Sequence, residues 1–158
     1  MEIIEKGKIE RGGKKLKKEE CDFRISETTS LLGDKEKGVQ IELFDHNKRA
    51  GGVLLEELNN KELNKEYVQL RLVLVDPEYQ GGNAALLLYE KAIEYSESLS
   101  KKLLFDSQLT IGAYKSFKKL EQLGYKVIEN PEAKFDGIHY KADKSWVLRV
   151  ERQDNDKK

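Results

Sequence analysis

One stretch in the middle of the chain restricts the fold more than any other. An apolar run at residues 70–75 has the composition of a buried strand, and Pro77 ends it because proline has no amide hydrogen for a ladder. Gly81 and Gly82 then lead into residues 83–99, where apolar side chains recur at three- and four-residue steps and predict a helix. The first N–H groups of a helix have no partner inside it, and the helix dipole adds positive potential there. A strand, a glycine turn and a helix in this order predict a cradle for a phosphate or pyrophosphate.

The composition limits both the class of protein and its partners. The 158 residues suit one domain, predicted at 1–151 with a polar tail at 152–158. Lys plus Arg and Asp plus Glu are equal at 29 each, so no net charge draws the chain to nucleic acid or to a membrane. The single cysteine, Cys21, excludes an internal disulfide and is typical of a reducing cytoplasm. With only His46 and His139 as histidines, no metal site is expected.

The remaining patterns predict a mixed sheet with helices packed on it. Two alternating apolar runs at 39–43 and 52–58 flank a turn-rich segment and predict an antiparallel hairpin. The run at 67–75 is the predicted central strand, and the helix after it returns the chain to a short parallel strand at 101–106. The other predicted elements are short, weak helices within 14–32, a helix at 111–123, a strand at 125–129, and a closing hairpin of 135–140 with 145–151.

A known motif lies across the turn. Val75, Pro77, Gln80 and Ala85 match V-x-P-x-x-[Q/R]-x-x-G-x-[G/A], and the stretch therefore resembles the GNAT family of acetyl-CoA-dependent N-acetyltransferases. Asn83 replaces the glycine of the motif, and asparagine is the residue other than glycine that best tolerates a positive φ. The order of the later elements continues the resemblance. It implies an α/β fold with a mostly antiparallel central sheet, one parallel and splayed pair of strands, and flanking helices.

The resemblance implies acetyl-CoA as the co-substrate. In the family, the pyrophosphate lies on the backbone of the glycine turn, and the central strand diverges from its neighbour so that its free edge pairs with the amides of the pantetheine arm. Two helices after the first strand usually form one wall of the acceptor pocket, and residues 14–32 predict little of that wall. Carried over to this sequence, the pyrophosphate-binding residues are Gln80, Gly81, Gly82, Asn83, Ala84 and Ala85, and the residues along the pantetheine arm are Val73, Leu74 and Val75.

The catalytic residues are marked less clearly. The family often has a proton-donating tyrosine at the position of Leu120, so Tyr114 on the same predicted helix face is the substitute donor, although its spacing also fits core packing. Asp106 ends the strand where the cleft of the family opens, and it is a candidate base. His139 in the predicted closing hairpin is another candidate base. Further carboxylates that could act through a water are Glu42, Glu56 and Glu57.

These inferences predict an N-acetyltransferase that transfers the acetyl group directly to a primary amine in a ternary complex. The acceptor is a small molecule or a protein, and a homodimer is an open alternative for the assembly. Two other classes remain open. The departures at Asn83 and Leu120 fit a non-catalytic acyl-CoA-binding module, and the lysine-rich residues 6–18 fit a protein-interaction module on the same fold. A solvated loop is the plainer interpretation of residues 6–18, since acidic residues follow at once.

Overall fold

The computed structural model describes residues 13–29, 37–57, 67–105, 108–141 and 147–152. The strands are β1 (Cys21–Thr29), β2 (Lys37–Asp45), β3 (Lys48–Glu57), β4 (Tyr67–Val75), β5 (Lys102–Phe105), β6 (Gln108–Thr110), β7 (Tyr125–Glu129), β8 (Lys134–Phe135), β9 (His139–Lys141) and β10 (Leu148–Arg152). The helices are α1 (Ala84–Ser98) and α2 (Ile111–Lys118), with 3-10 turns at Lys18–Glu20, Pro77–Tyr79 and Lys119–Leu123. A seven-stranded mixed sheet has the order β1-β2-β3-β4-β5-β10-β7, and a second sheet has the order β6-β9-β8.

The predicted hairpin and parallel crossover are confirmed. β2 and β3 pair antiparallel, and their tight turn places His46 at a φ of 60°. β4 lies antiparallel to β3 on one side and parallel to β5 on the other. The parallel pair needs a long crossover, which α1 supplies.

α1 packs its apolar face on the sheet and forms the main core. Leu88 and Ala92 are fully buried in it, with β2 and β3 beneath. A Cβ on Gly51 of β3 would lie 3.3 Å from Leu88 and 2.5 Å from the carbonyl of Leu74, so the small residue allows close packing here. Burial of such side chains is worth about 1.5–3 kcal/mol each, which makes this helix the main stabilising element of the layer.

α2 joins this core through an aromatic cluster. Phe117 of α2 contacts Phe105 of β5 and Tyr89 of α1, and all three rings are buried. The predicted helix at 111–123 is α-helical only to Lys118 and continues as a 3-10 turn. Gly124 ends it at a φ of 96°, the left-handed conformation expected of a terminating glycine.

The predicted weak helices within 14–32 are wrong. Residues 21–29 form strand β1, which pairs with β2 along its whole length, and only the 3-10 turn at Lys18–Glu20 is helical among the described residues of that range. Cys21 and Phe23 alternate with polar residues and pack against the core. Pairing with β2 therefore makes β1 a strand, although its many charged residues obscure the alternation of apolar and polar residues that predicts one.

The predicted closing hairpin of 135–140 with 145–151 is also wrong. β9 pairs with β6 and β8, while β10 lies between β5 and β7 in the large sheet. Leu148 and Val150 are fully buried, as expected of a strand with neighbours on both sides. β10 reaches Arg152, the first residue of the predicted tail, and residues 153–158 lie outside the described residues.

Candidate functional site

β4 and β5 run together for only part of their length. The parallel register joins Tyr67–Leu70 to Lys102–Phe105, and in the described part of the chain no strand pairs with this edge of β4 after Leu70. The other edge of β4 stays paired with β3 up to Val75. Within 71–75, the backbone N–H and C=O groups of alternate residues thus point away from β3, where no described strand pairs with them. The predicted splayed pair is present.

A bulge marks the point where the strands separate. Leu55 of β3 faces Leu70 and Leu54 faces Leu72, so Arg71 is the extra residue of β4. A bulge bends its strand and increases the local twist. After it, Val73 packs against the core, whereas Leu72 and Leu74 are 43% and 53% exposed on the other face. The free edge of β4 is therefore accompanied by an uncovered apolar face.

A tight turn joins the end of β4 to α1. Asp76 N donates to Ala50 O at 2.9 Å, and Gly81 has a φ of 88°, which a side chain adopts only with strain. Gln80 was predicted to bind phosphate, but its amide nitrogen donates to Val75 O at 2.9 Å while the side chain stays exposed. The carbonyl of Val75, the last of the residues predicted to bind the pantetheine arm, therefore already accepts one hydrogen bond.

The N-terminus of α1 is uncapped, and its first residue, Ala84, is buried. Asn83 precedes the helix without a side-chain cap, and the backbone N–H groups of Gly81, Asn83, Ala84 and Ala85 have no backbone acceptor among the described residues. Asn83 has a φ of −117°, so the left-handed conformation considered for it is wrong, and Gly81 adopts that conformation instead. Uncapped N–H groups at a helix N-terminus suit an anion.

Residues 13–17, which we call the strap, cross the turn. Asn83 pairs with both backbone groups of Leu16: its Oδ1 accepts from Leu16 N at 2.7 Å, and its Nδ2 donates to Leu16 O at 2.8 Å. Lys14 N donates to Glu78 O at 3.2 Å, and the Leu16 side chain is buried in the core. Asn83 therefore anchors the strap with the carboxamide that a glycine would lack.

The strap also explains two glycines. A Cβ on Gly82 would lie 2.2 Å from Lys14 O, and a Cβ on Gly13 would lie 1.8 Å from Gln80 O. Both distances are far below van der Waals contact. Gly82 was predicted to let a ligand approach the backbone. In the structure, glycine is needed there because the strap packs directly against it.

A buried acid ties the strap to the sheet. Lys14 Nζ lies 2.8 Å from Asp45 Oδ2, which also accepts from the Tyr79 hydroxyl at 3.0 Å. The hydrogen bonds from Lys14 and then from Tyr79 lower the pKa of Asp45, and burial followed by the Asp45 contact raises the pKa of Tyr79 to about 12. Asp45 is therefore charged at neutral pH, and its contribution to stability would be lost as the pH falls through its lowered pKa.

Tyr114, the predicted proton donor, has its side-chain partners on β7 and β9 and not at the glycine turn. Its hydroxyl donates to Glu129 of β7, and its ring stacks on Tyr140 with the ring centres 4.0 Å apart. Burial, and then the hydrogen bond to Glu129, raise the pKa of Tyr114, so the phenol stays protonated at neutral pH. The family position of the donor, Leu120, is a fully buried core residue.

The candidate bases are unevenly placed. Asp106 lies outside the described residues. The backbone N–H of His139 donates to Asp136 Oδ1 at 2.7 Å, and its half-buried side chain belongs to the small sheet. Among the early glutamates, Glu56 is nearly fully buried and lies 3.5 Å from the Arg71 guanidinium at the bulge.

Two features of the site were missed from the sequence. The strap has no periodic pattern, and only the asparagine in place of a motif glycine signalled it. Gln69, buried beside the bulge, is one of two polar residues, with Arg71, in the apolar run of β4, and a polar residue there is the available signal for a special role. In the described part of the chain, no cluster of His, Cys, Asp or Glu is arranged for a metal, and no helix is long and apolar enough to cross a membrane.

Comparison with known proteins finds similar folds among solved structures. No family model and no curated protein matches the sequence. Escherichia coli ElaA matches with a TM-score of 0.54 at 10% identity, covering 84% of this chain and 99% of that one. A proposed acyl-CoA N-acyltransferase from Klebsiella pneumoniae matches with 0.52 at 11% identity, covering 82% and 96%. A proposed acetyltransferase of the GNAT family from Desulfovibrio desulfuricans matches with 0.52 at 10% identity, covering 73% and 69%.

The identities are low, so these matches bear on the fold alone. The chain spans 64% of the length of PH1933 from Pyrococcus horikoshii, another solved structure that it resembles, with a TM-score of 0.48. The seven-stranded mixed sheet with one parallel, diverging pair agrees with the architecture that the sequence motif implied. The chain has the fold of the GNAT-family acetyltransferases.

Proposed function

We propose that the chain is an N-acetyltransferase that moves an acetyl group from acetyl-CoA directly to a primary amine. The observation that carries this proposal is the free edge of β4, which runs from the bulge at Arg71 to Val75 and is followed, after the turn, by the uncapped helix N-terminus at Ala84. An extended arm with amide groups can pair with such an edge, and its phosphates can reach the helix end. The similarity to a proposed acyl-CoA N-acyltransferase supports the same co-substrate.

The dimensions suit this arrangement. Residues 72–75 span about 13 Å at the ~3.3 Å rise of a strand. An amide-bearing arm along this edge would hold its thioester near the bulge when its pyrophosphate meets the amides of Gly81, Asn83, Ala84 and Ala85. Gly81 adds a backbone N–H with no Cβ beside it.

The reaction needs three changes at the thioester. The neutral amine attacks the carbonyl carbon and forms the C–N bond; the C–S bond then breaks, the nitrogen gives up one proton, and the departing thiolate takes up a proton. Backbone N–H groups at the free edge near the bulge would stabilise the oxygen as charge develops on it. Holding both reactants in one cleft supplies much of the acceleration, so a dedicated base is not essential. Asp106, which follows β5 in the sequence, remains our proposed base.

Tyr114 is the proposed donor to the thiolate, and one substitution tests it. Tyr114→Phe keeps the ring stack on Tyr140 but removes the hydroxyl. If the hydroxyl supplies the proton, kcat falls by about 10² or more while the affinity for coenzyme A is unchanged. Steady-state thiol release with parallel calorimetry checks this. An unchanged kcat would leave Tyr114 a stacking residue bonded to Glu129, a role its raised pKa also fits.

The proposal itself is tested in two steps. Saturating acetyl-CoA should raise the melting temperature, because a ligand present at about 100 times its Kd stabilises by ~2.7 kcal/mol. Thiol release over a panel of small amines and lysine-containing peptides should then identify acceptors. Stabilisation without release on any amine would favour the acyl-CoA-binding module, to which the buried Leu120 points. No stabilisation would leave the protein-interaction module. We place the enzyme in the cytoplasm, since its one cysteine is a free thiol.

A further inference from the structure

A buried polar network lies where β4 and β5 separate. Gln69 of β4 is 5% exposed, and its Nε2 donates to the carbonyl of Phe105, the last residue of β5, at 3.3 Å. Leu70 and Phe105 form the last pair of the parallel ladder. A side chain of one strand thus holds the end of the other at the branch point.

The same network holds the bulge. Arg71, the extra residue, donates from Nη1 to Gln69 Oε1 at 3.2 Å, and its Nε lies 3.5 Å from Glu56 Oε1. Glu56 faces Gln69 across the β3–β4 ladder and is 2% exposed. Gln69 therefore uses both ends of its carboxamide, one toward β5 and one toward the bulge.

Buried polar groups are costly in a sheet core unless they are hydrogen-bonded, and a satisfied network then favours one specific arrangement. An apolar residue at position 69 would suit this mostly apolar strand. The polar network instead couples the last pair of β4 and β5 to the bulge of β4. Immediately beyond it, Leu72 and Leu74 become exposed and the edge of β4 becomes free. The network thereby fixes where the cleft begins and how far the two strands stand apart there.

We propose that Gln69 is a positioning residue that sets the thioester end of the cleft, with Arg71 and Glu56 as its supports. This inference rests on the proposed acetyl transfer. The branch point lies at the opposite end of the free edge from the turn at Gly81. Disturbing it should misplace the acyl group relative to the acceptor while leaving the phosphate end of the site intact.

Two variants separate the two contacts of Gln69. Gln69→Glu keeps the shape and the acceptor for Arg71 but turns a carboxylate oxygen toward Phe105 O. Gln69→Met keeps the length and removes both contacts. Gln40→Met is the control, since Gln40 is a half-buried glutamine on β2, which β3 separates from β4.

Both Gln69 variants should lower kcat for thiol release about tenfold or more, with the Kd of coenzyme A changed less than about twofold, and Gln40→Met should match the parent. If Gln69→Glu keeps the kcat of the parent while Gln69→Met loses activity, the effect belongs to the contact with Arg71. That result would overturn the role of the Gln69 hydrogen bond to Phe105 of β5. A parallel rise of Kd, or an unchanged kcat in both variants, would overturn the positioning role.

Hydrogen exchange keeps the test independent of the proposed function. Amides of β5 should exchange faster in both Gln69 variants than in Gln40→Met, because the end of β5 loses its donor. Unchanged exchange would refute the clamp even in a protein with no activity. If the parent protein neither binds acetyl-CoA nor releases thiol, acetyl transfer fails, while the exchange result still decides whether Gln69 holds the two strands.

Discussion

Gly81→Val is expected to abolish the rise in melting temperature that acetyl-CoA causes in the parent protein. Gly81 has a φ of 88° and supplies one of the unpartnered amides beside the first turn of α1. A branched side chain would force the turn from this conformation and so displace its amides. The parent should gain several degrees at ~100 times the Kd, since ~1 kcal/mol corresponds to about 2–4 °C in a chain of this size. Differential scanning fluorimetry with and without ligand measures it.

Gly137→Val is the matched control for this substitution. Gly137 also has a positive φ, 101°, but it lies in the connection between β8 and β9, and a Cβ there would meet nothing within 4 Å. Both variants should lose stability without ligand, by about 1–2 kcal/mol for a left-handed side chain. Only Gly137→Val should keep the full response to acetyl-CoA. An intact response in Gly81→Val would show that the phosphates bind elsewhere.

Gly82→Ala is expected to dislodge the strap. Gly82 does not have a positive φ, so alanine brings no backbone strain, but its Cβ would lie 2.2 Å from Lys14 O. Moving the strap would break the two bonds of Asn83 to Leu16, each worth about 0.5–1.5 kcal/mol. It would also expose Leu16, at a cost of about 1.5–3 kcal/mol. Because the released residues regain conformational entropy, we expect a net loss of about 2 kcal/mol in urea denaturation.

Proteolysis shows where this loss arises. Trypsin should cut Gly82→Ala faster than the parent after the exposed lysines of the strap, and Asn83→Ala should show the same direction with a smaller loss of stability. Leu16→Ala, which leaves the turn untouched, provides the comparison for the burial term alone. A strap that stays protected in Gly82→Ala would mean that the turn yields instead, and the stability loss would then be assigned to the turn.

The sequence predicted the centre of the fold well because its signals there are local. The hairpin of β2 and β3, the strand β4, the glycine turn and α1 each have a pattern that short-range physics enforces. The order of these elements then determined the parallel pairing of β4 with β5. Tyr125–Glu129 was predicted at its observed bounds, since Gly124 and Pro131 punctuate it.

The failures occurred where distant residues decide the structure. β1 has twice as many polar as apolar residues, and it is a strand because β2 offers it an edge. β10 was assigned to its neighbour in sequence, whereas β5 and β7 enclose it. The strap and the network at Gln69 also depend on residues that are distant in sequence. No periodic pattern in the sequence predicts that a side chain binds a backbone group 67 residues away. Tyr114 and Asp106 as catalytic residues stay predictions.

The direct pairing of β1 with β2 has a consequence for the choice of acceptor. Only residues 30–36 lie between these strands, and β1 occupies part of the range where the family usually has the two helices that form one wall of the acceptor pocket. Leu72 and Leu74 accordingly stand open to solvent beside the free edge of β4. An amine carried on a bulky body, such as a lysine side chain of a folded protein, would meet little steric exclusion on that side. We therefore expect tolerance toward acceptors of very different size, with discrimination resting on the few ångströms around the nitrogen.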